Sequence, residues 1–505
     1  MNTKYILLLL IIVGFTACND PEDVLRDFNI EPDTTPELPA LTTGSADFSK
    51  YVAVGASFTA GYTDGALFKA SQENSFTNML AKEFAKAGGG DYNQPLMNDN
   101  IGGLLFGGVP NPMFEPRLFF NGEGPVRLPA TPTTEAFNTL SGPFQNIGVP
   151  GAKSFHMLFE GYGNPAGLVT SPATANPYFV RMASNPNASM IGDAIAQNPT
   201  FFTLSLMGGN DVIDYAFWGG DSSRAVTDSP TFDFAFTTAV NVLTSGGAKG
   251  VVTNVPYIED LPHFTRVPHN PVPLDAGTAA VLNQAYAAYN GGIQQALAAL
   301  SGLGLFTEEE ALKRTINFAA GQNAVVIEDE SLTDLGAINP AFAALPKYRQ
   351  ATAEDIIVLS ASTFIGTEAI PGNPQTVNGL AIPLADRWVL TPEEQQEIKD
   401  ATDAYNNTIE GIVASNDNLA LVNLKDLLFK LSTTGLSSNN FTLTSDLVTG
   451  GAIGLDGIHL TARGYGLLAN EFLKAIDAQF GSNFMESGNM INIGDYPTNY
   501  SPTLQ

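Results

Sequence analysis

Residues 51 to 61 read Tyr-Val-Ala-Val-Gly-Ala-Ser-Phe-Thr-Ala-Gly. A short apolar run that stops at Gly55 is typical of a buried strand in a parallel sheet. Ser57 follows at once, where such a strand turns into a helix. A serine at this kind of turn presents its hydroxyl at the carboxyl edge of the sheet, close to backbone N–H groups. The stretch therefore predicts an α/β fold that starts near Tyr51, and it makes Ser57 a candidate reactive residue.

Four later segments have the same character, because each is short, rich in β-formers and bounded by Gly, Pro or polar residues. They are residues 144–148, 201–207, 250–255 and 419–424. Helical patterns lie between and after them, at residues 76–87, 232–243, 279–300, 393–413 and 462–480. Strands that alternate with helices form a parallel, doubly wound sheet. The sequence thus predicts a three-layer α/β/α domain around a five-stranded parallel sheet.

Two long stretches interrupt this alternation. Residues 88–143 are rich in Gly, Pro and Asn, whereas residues 303–391 include an apolar run at 324–327 and a hairpin pattern over 356–390. Both are too long to be plain connections between a strand and a helix. We expect them to be insertions at the strand ends, where α/β proteins place their binding surfaces.

The composition restricts the classes of protein to which the chain can belong. It has 505 residues, of which 44% are hydrophobic and 15% are charged, as in an ordinary globular protein. The formal net charge is −28, and an acidic surplus repels phosphates, so we do not expect nucleic-acid binding. One Cys and four His provide neither a disulfide framework nor a cysteine-rich zinc site. We therefore expect no metal and no cofactor.

The N-terminal residues predict export. Residues 1–17 contain an apolar run over 5–15, which is about half of the roughly 20 residues that cross a bilayer. Phe-Thr-Ala-Cys at 15–18 resembles a bacterial lipobox, whose Cys becomes the lipidated first residue after cleavage. A secretory signal with an incidental Cys is the alternative. With Cys18 lipidated, residues 18–50 are a flexible tether, and we expect a protein anchored by lipid to the bacterial outer membrane or cell surface, on its outer or periplasmic face.

Polar residues suited to catalysis follow two other predicted strands and precede the last helix. Asn210 comes after a Gly pair, and its amide is a donor suited to a developing oxyanion. Gly151 lies in the turn after the second strand and can offer its backbone N–H. Asp456 precedes His459 by three residues, a spacing that lets the carboxylate orient the imidazole and leaves the other ring nitrogen free as a base. Each segment alone also fits a structural role, such as a turn or a helix cap.

Considered together, these segments resemble the conserved blocks of the GDSL, or SGNH, family of ester hydrolases, whose Ser, Gly, Asn and His match Ser57, Gly151, Asn210 and His459 in order. Asp456 matches the triad acid of the family, and the ten residues 456–465 are close to its C-terminal signature. Thr-Asn-Val-Pro at 253–256 resembles a further block. Gly-Ala-Ser-Phe at 55–58 stands in place of Gly-Asp-Ser-Leu, so a neighbouring carboxylate is missing, but no triad role is affected.

The resemblance implies a flavodoxin-like SGNH hydrolase domain over residues 51–485 and leaves residues 486–505 as a C-terminal tail. It also implies a carboxylic ester hydrolase of the lipase or esterase type that acts on acyl esters of lipids or of acylated glycans. The apolar residues between positions 104 and 120 are candidates to shelter an acyl chain, which favours lipids or longer acyl esters. The sequence does not identify the alcohol part of the substrate.

The resemblance further implies the role of each residue. Ser57 attacks the ester carbonyl, neutral His459 takes its proton, and Asp456 holds the His459 tautomer. The backbone N–H groups of Ser57 and Gly151, with the side-chain amide of Asn210, hold the oxyanion. Water then hydrolyses the acyl-enzyme.

Two alternatives stay open at this point. An α/β-hydrolase shares the order Ser, Asp, His, but its nucleophile follows several strands and its acid is usually distant from its His in sequence. A surface lipoprotein that binds lipid or glycan on an SGNH scaffold without turnover is the alternative from a different class. Covalent labelling of Ser57 by a fluorophosphonate discriminates the enzyme from the binding protein.

Several neighbouring residues have less specific signals. Asp211 is the nearest alternative triad acid by motif, and with Asp214 it does not form the oxygen-rich loop of a calcium site. The aromatic residues Tyr215, Phe217 and Trp218 either wall an acyl pocket or belong to the core. His263 and His269 are expected to be surface or turn residues rather than ligands, whereas His156 either packs on a helix or lines the site.

Overall fold

The computed structural model describes residues 37–505, so the predicted signal sequence and Cys18 lie outside the described residues. A sheet of five parallel strands forms the centre: β1 (Tyr51–Gly55), β2 (Asn146–Gly148), β3 (Phe201–Ser205), β4 (Lys249–Thr253) and β5 (Leu419–Val422). Their order across the sheet is β2-β1-β3-β4-β5. The predicted five-stranded parallel sheet is confirmed.

This strand order is that of flavodoxin-like, doubly wound sheets. The chain leaves β1 toward β2 on one side and then builds β3, β4 and β5 on the other side. Because crossovers between parallel strands are right-handed, this reversal places helices on both faces. Ligands of such folds bind beyond the carboxyl ends of the strands that flank the reversal, here β1 and β3.

Eight helices among the described residues accompany the sheet: α1 (Ser57–Ala60), α2 (Phe76–Lys86), α3 (Gly209–Phe217), α4 (Ser229–Thr244), α5 (Ala276–Leu300), α6 (Pro392–Ala414), α7 (Leu424–Thr433) and α8 (Ala462–Phe480). Further short helices cover Lys69–Glu73, Pro177–Met182, Met190–Ile195, Pro262–Thr265, Glu308–Lys313 and Leu335–Ile338. The side chains of Ser75 and Thr461 cap α2 and α8 by accepting backbone N–H groups of the first turn. Such caps explain why these helices begin where they do.

Aromatic side chains join the sheet to its helices. Phe201 of β3 contacts Phe84 of α2 and Phe480 of α8, with ring centroids 5.5 and 5.9 Å apart. Phe232 of α4 stacks on Tyr405 of α6 at 4.1 Å, and these two helices pack together. The helical patterns predicted for α2, α4, α6 and α8 are confirmed within a few residues at each end.

Helix α5 does not join the main core. Its buried residues Ala279, Leu282 and Tyr286 pack on Ile316, Phe318 and Val326, in a separate small cluster. The sequence predicts this helix correctly. It places the start of the second insertion at residue 303, however, whereas in the structure α5 packs on that insertion and belongs to it. Helical periodicity reveals that one face is buried, but not which surface buries it.

The insertions consist of short antiparallel pairs and turns. The first contains Leu105–Phe106 with Val109–Pro110, and Leu118–Phe120 with Pro125–Arg127. The second contains Val326–Glu328 with Tyr348–Gln350, and Ile356–Ile357 with Val389–Leu390, which confirms the predicted hairpin over 356–390. Two more pairs join Val272–Leu274 to Gly321–Asn323, and Leu436–Ser438 to Phe441–Leu443.

Both ends of the described chain pack on the domain. Phe48 is buried in the main core, inside the stretch predicted as tether. Near the other end Tyr500 is buried, and the buried guanidinium of Arg117 donates hydrogen bonds to the carbonyls of Tyr500, Ser501 and Leu504. The folded unit therefore extends beyond the predicted limits of 51 and 485. None of the helices within residues 37–505 has the length and apolarity to cross a bilayer.

Candidate active site

Three strands of the sheet end at the same level and set the floor of the site. Gly55, the last residue of β1, pairs with Gly148 of β2 and Ser205 of β3. A side chain at Gly148 would place its Cβ only 2.3 Å from the backbone nitrogen of Ala60 in α1. Glycine is required there because α1 crosses the end of β2. This close approach positions Ser57, the first residue of α1, above the sheet edge.

Ser57, His459 and Asp456 form one chain of hydrogen bonds. The hydroxyl of Ser57 donates to Nε2 of His459, with 2.9 Å between Oγ and Nε2. Nδ1–H of His459 donates to Oδ2 of Asp456, also at 2.9 Å. The structure therefore brings together the three residues that the sequence predicts as nucleophile, base and acid, although Ser57 and His459 are 402 positions apart.

Asp456 is held by several donors. Its Oδ1 accepts the backbone N–H groups of Ile458 and His459, each at 2.9 Å, and Oδ2 also accepts the N–H of Gly65 at 2.8 Å. Burial by itself raises the pKa of Asp456, but the charge on His459 and the hydrogen bonds from His459 and Ile458 outweigh it, so the pKa lies well below its ordinary value. The carboxylate is therefore ionised at neutral pH and can stabilise a protonated His459.

The two other predicted residues line the same cavity as Ser57 and His459. Gly151 has a φ of +81°, in the left-handed region that favours glycine. Asn210 stands at the start of α3, and one N–H of its side-chain amide donates to the carbonyl of Ala152 at 2.9 Å. An amide has a second N–H. Because the first is held by the loop that carries Gly151, the orientation of the second is determined as well.

The cavity beside Ser57 has a volume of about 560 Å³ and a mainly apolar wall. The wall includes Leu206, Ile213, Phe217, Val255, Leu261 and Ile458. At the rim, Asp214 pairs with Lys153 at 3.0 Å and with Arg224 at 3.6 Å. The cavity is therefore apolar next to the Ser57 hydroxyl and is bordered by the charged side chains of Lys153, Asp214 and Arg224.

The sequence predicts that apolar residues between positions 104 and 120 shelter an acyl chain, but none of them lines this cavity, so the prediction is wrong. Within the described chain, the lining residues come from other segments, chiefly from α3, from the segment after β4 and from the loop that carries Gly151. Leu104 and Phe114 instead pack with Leu67 and Tyr178 beside α1. An insertion needs buried apolar side chains for its own stability. An apolar cluster in the sequence therefore does not show whether its residues pack together or bind a ligand.

Asp211 does not contact His459. It is fully buried and accepts hydrogen bonds from the hydroxyl and backbone N–H of Ser154, at 2.6 and 2.8 Å. Burial raises the pKa of Asp211, and the hydrogen bonds from Ser154 partly offset the rise. The residue therefore fixes the loop between Gly151 and Ser154 and is not an alternative triad acid.

The three aromatic residues after Asn210 have different positions. Phe217 lines the cavity, and Tyr215 is buried in the core. Trp218 contacts the guanidinium of Arg387, 4.5 Å from its ring centroid. Of the three, Phe217 is thus the one that walls the cavity. His156 also lines it, and burial lowers its pKa to about 4, so the ring is neutral.

Sequence analysis misses the role of His263, which it treats as a loop residue. His263 is buried, its Nδ1–H donates to the carbonyl of Asp456 at 3.1 Å, and its backbone N–H donates to the carbonyl of Gly457 at 3.0 Å. Its ring stacks on Phe217 at 4.8 Å. Burial lowers the pKa of His263 and keeps the imidazole neutral. The residue holds the Asp456 turn against the cavity wall, a contact between distant segments that leaves no pattern in the sequence.

Comparison with protein-family models, with curated proteins and with solved structures finds no match for this chain. Its class has to be inferred from the geometry of the fold and the site.

Proposed function

We propose that this protein is a serine ester hydrolase of the SGNH type, which cleaves acyl esters through an acyl-enzyme. One observation carries the proposal: the continuous hydrogen bonds from Ser57 through His459 to Asp456, at the wall of an apolar cavity beyond the carboxyl ends of the strands. The strand order β2-β1-β3-β4-β5 supports it, because this order brings the ends of β1 and β3 together.

The acylation step uses the three residues in turn. Neutral His459 accepts the Ser57 proton at Nε2 while Oγ forms a bond to the ester carbonyl carbon. The carbonyl π electrons move to oxygen, and the resulting oxyanion collapses as the alcohol leaves with the proton from His459. Asp456 stays ionised throughout and stabilises the imidazolium. In the second step, His459 activates water in the same way, and the acid is released from Ser57.

The oxyanion is stabilised by preorganised donors. The backbone N–H groups of Ser57 and Gly151 and the second N–H of the Asn210 amide are the proposed set. The link between Asn210 and Ala152 and the bonds between Asp211 and Ser154 support this assignment, since they tie α3 to the Gly151 loop. Donors held in this way cost little reorganisation when the negative charge develops.

The cavity favours an acyl chain of more than two carbons. Its volume of about 560 Å³ lies within the range of roughly 300–1,000 Å³ typical of ligand sites. Its apolar wall matches a hydrocarbon chain, while the charged residues at the rim suit a polar alcohol part. Lipid esters therefore fit better than acetylated glycans. With the proposed lipid at Cys18, the enzyme would act at the bacterial outer membrane or cell surface.

The proposal is tested with p-nitrophenyl esters from acetyl to palmitoyl and with a fluorophosphonate probe. We expect the wild-type protein to hydrolyse the esters and to be labelled at Ser57. The Ser57→Ala variant should lose both properties while its circular dichroism spectrum is unchanged. Ser415→Ala, which alters an exposed serine at the end of α6, is the matched control and should behave as wild type.

Two outcomes would contradict the proposal. Turnover by Ser57→Ala at a near wild-type rate would exclude Ser57 as the nucleophile. Wild-type protein that binds long-chain esters, but neither turns them over nor reacts with the probe, would instead support the non-catalytic lipoprotein that binds lipid or glycan.

A further inference from the structure

Three carboxylates converge in a cluster that shares no residue with the candidate active site. They belong to Glu330, Asp386 and Glu394, and one oxygen of each lies within 4.8 Å of the others. Glu330 follows the strand Val326–Glu328, and Asp386 lies shortly before the strand Val389–Leu390. Glu394 is in the first turn of α6. The cluster therefore joins two parts of the second insertion to a helix of the main domain.

Glu394 is buried, and only one of its two carboxylate oxygens has a hydrogen-bond partner. The side chain is 8% exposed, and its Oε2 accepts hydrogen bonds from the backbone N–H and hydroxyl of Thr391, at 2.6 and 2.9 Å. Its Oε1 is buried without a hydrogen-bond partner, and so is Oδ1 of Asp386. A buried oxygen without a partner is costly, more so when it carries charge. A ligand placed between the carboxylates would satisfy both oxygens.

No basic side chain within residues 37–505 has a nitrogen within 4.0 Å of these three carboxylates. The nearby Lys347 donates from Nζ to the backbone carbonyl of Glu330 at 2.7 Å instead, and it lines the adjoining cavity. The adjacent acid, Asp329, differs because it has a basic partner. It is fully buried and pairs with Arg349, which also binds Asp355 at 2.6 Å. The burial of Asp329 is thus compensated by an arginine. The buried Glu394 and the half-buried Asp386 lack that compensation, whereas Glu330 is exposed.

The oxygen-only donor set selects the kind of cation. Carboxylates without any His or Cys suit hard ions such as Ca²⁺ and Mg²⁺ rather than Zn²⁺ or Cu²⁺. Oxygens on opposite sides of a Ca²⁺ ion are about 5 Å apart, since each Ca–O bond is roughly 2.3–2.6 Å. The oxygens of the cluster lie within 4.8 Å of one another, so their separations do not exceed this limit.

We propose that Glu330, Asp386 and Glu394 form a binding site for a divalent cation of the calcium type. A cavity of about 270 Å³, lined by Glu330, Asp386 and Ser222, adjoins the carboxylates. It gives the ion a route from solvent and leaves room for the water ligands that complete its coordination. The site is separate from Ser57 and takes no part in the proposed hydrolysis.

The site would connect the insertion to the helix that bears Asn210. The turn after α3 contains Gly219 and Gly220, and a Cβ on Gly219 would lie 2.3 Å from the carbonyl oxygen of Asp386. A Cβ on Gly220 would lie 2.1 Å from Oε1 of Glu394. The turn is thus fitted against two of the three ligands. A bound cation holds the insertion, α6 and this turn together, so its expected effect is on stability.

Calcium binding is measured on protein dialysed against EDTA, by titration calorimetry and by the shift in Tm. We expect the wild type to bind one Ca²⁺ and its Tm to rise with the ion. Glu394→Gln should weaken binding at least tenfold and abolish the shift. Glu393→Gln, which removes the same charge from an exposed neighbour on α6, is the matched control and should bind as wild type.

Three outcomes would overturn the proposal: no calcium binding by the wild type, equal binding by Glu394→Gln and Glu393→Gln, or a response to Mg²⁺ alone. If Glu394→Gln does not fold, Asp386→Asn makes the same comparison and must show the same loss. Because none of these readouts depends on ester turnover, failure of the cation site and failure of the proposed hydrolase are distinguishable.

Discussion

Asp64 is a buried carboxyl group whose titration should limit stability at neutral pH. Burial raises the pKa of Asp64 to about 7 from its ordinary 3.8; the backbone N–H of Leu455 partly offsets the rise, and the charge of Asp456 adds to it. Arg117 is the cation that faces Asp64 and lowers this pKa slightly. The unfolded chain releases this proton near pH 4, whereas the folded chain retains it until about pH 7.

The sign and size of the effect follow from this difference. Between about pH 4 and pH 7 the folded state binds one proton more than the unfolded state, so the free energy of unfolding falls as the pH rises. Each pH unit corresponds to about 1.4 kcal/mol, and the whole window to about 4 kcal/mol. The stabilising contribution of Asp64 is thus complete below pH 4 and lost above pH 7.

Asp64→Asn removes this titration with little structural change. An Asn oxygen can still accept the Leu455 N–H, which Oδ1 of Asp64 accepts at 2.8 Å. Asn also tolerates the φ of +52° at this position. We expect the difference in unfolding free energy between variant and wild type to shift by about 4 kcal/mol in favour of the variant from about pH 3.5 to about pH 8.

The assay is urea unfolding followed by far-UV circular dichroism at a series of pH values. Asp417→Asn, which neutralises an exposed carboxylate before β5, is the control and should keep a constant offset from wild type. A constant offset for Asp64→Asn over the same range would refute the reasoning, because it would mean that Asp64 titrates alike in both states.

Three substitutions at the candidate active site test the proposed roles. Asn210→Ala removes an oxyanion donor and should lower kcat by about 10²- to 10³-fold with little change in KM, measured with one soluble ester. An effect on KM alone would make Asn210 a ground-state binding residue. Asp456→Asn lets His459 adopt the wrong tautomer and should lower kcat on the order of 10⁴-fold in the same assay, whereas wild-type kcat would exclude Asp456 as the triad acid. Phe217→Ala removes part of the cavity wall and should lower kcat/KM about tenfold for octanoyl but not for acetyl esters, and equal losses on both would place Phe217 outside the acyl site.

Local sequence patterns were sufficient to predict the strands of the sheet, its main helices and the polar residues that lie at their ends. Four apolar residues before Gly55 are sufficient to predict β1, because strand and helix periods are properties of adjacent residues. The same local logic places Ser57 after a strand and Asp456 three residues before His459. The resemblance to the SGNH blocks implies that these residues act together, and the structure brings them within hydrogen-bond distance.

Which surfaces these elements bury against one another is visible only in the folded structure. The apolar residues at 104–120 and the buried face of α5 are evident in the sequence, but their partners are not, and the acyl shelter and the start of the second insertion were misplaced for that reason. His263 behind Asp456, and Glu394 beside Glu330, are contacts between segments more than 60 positions apart. No local periodicity encodes such a contact, because it depends on how the packed helices and insertions are placed around the sheet.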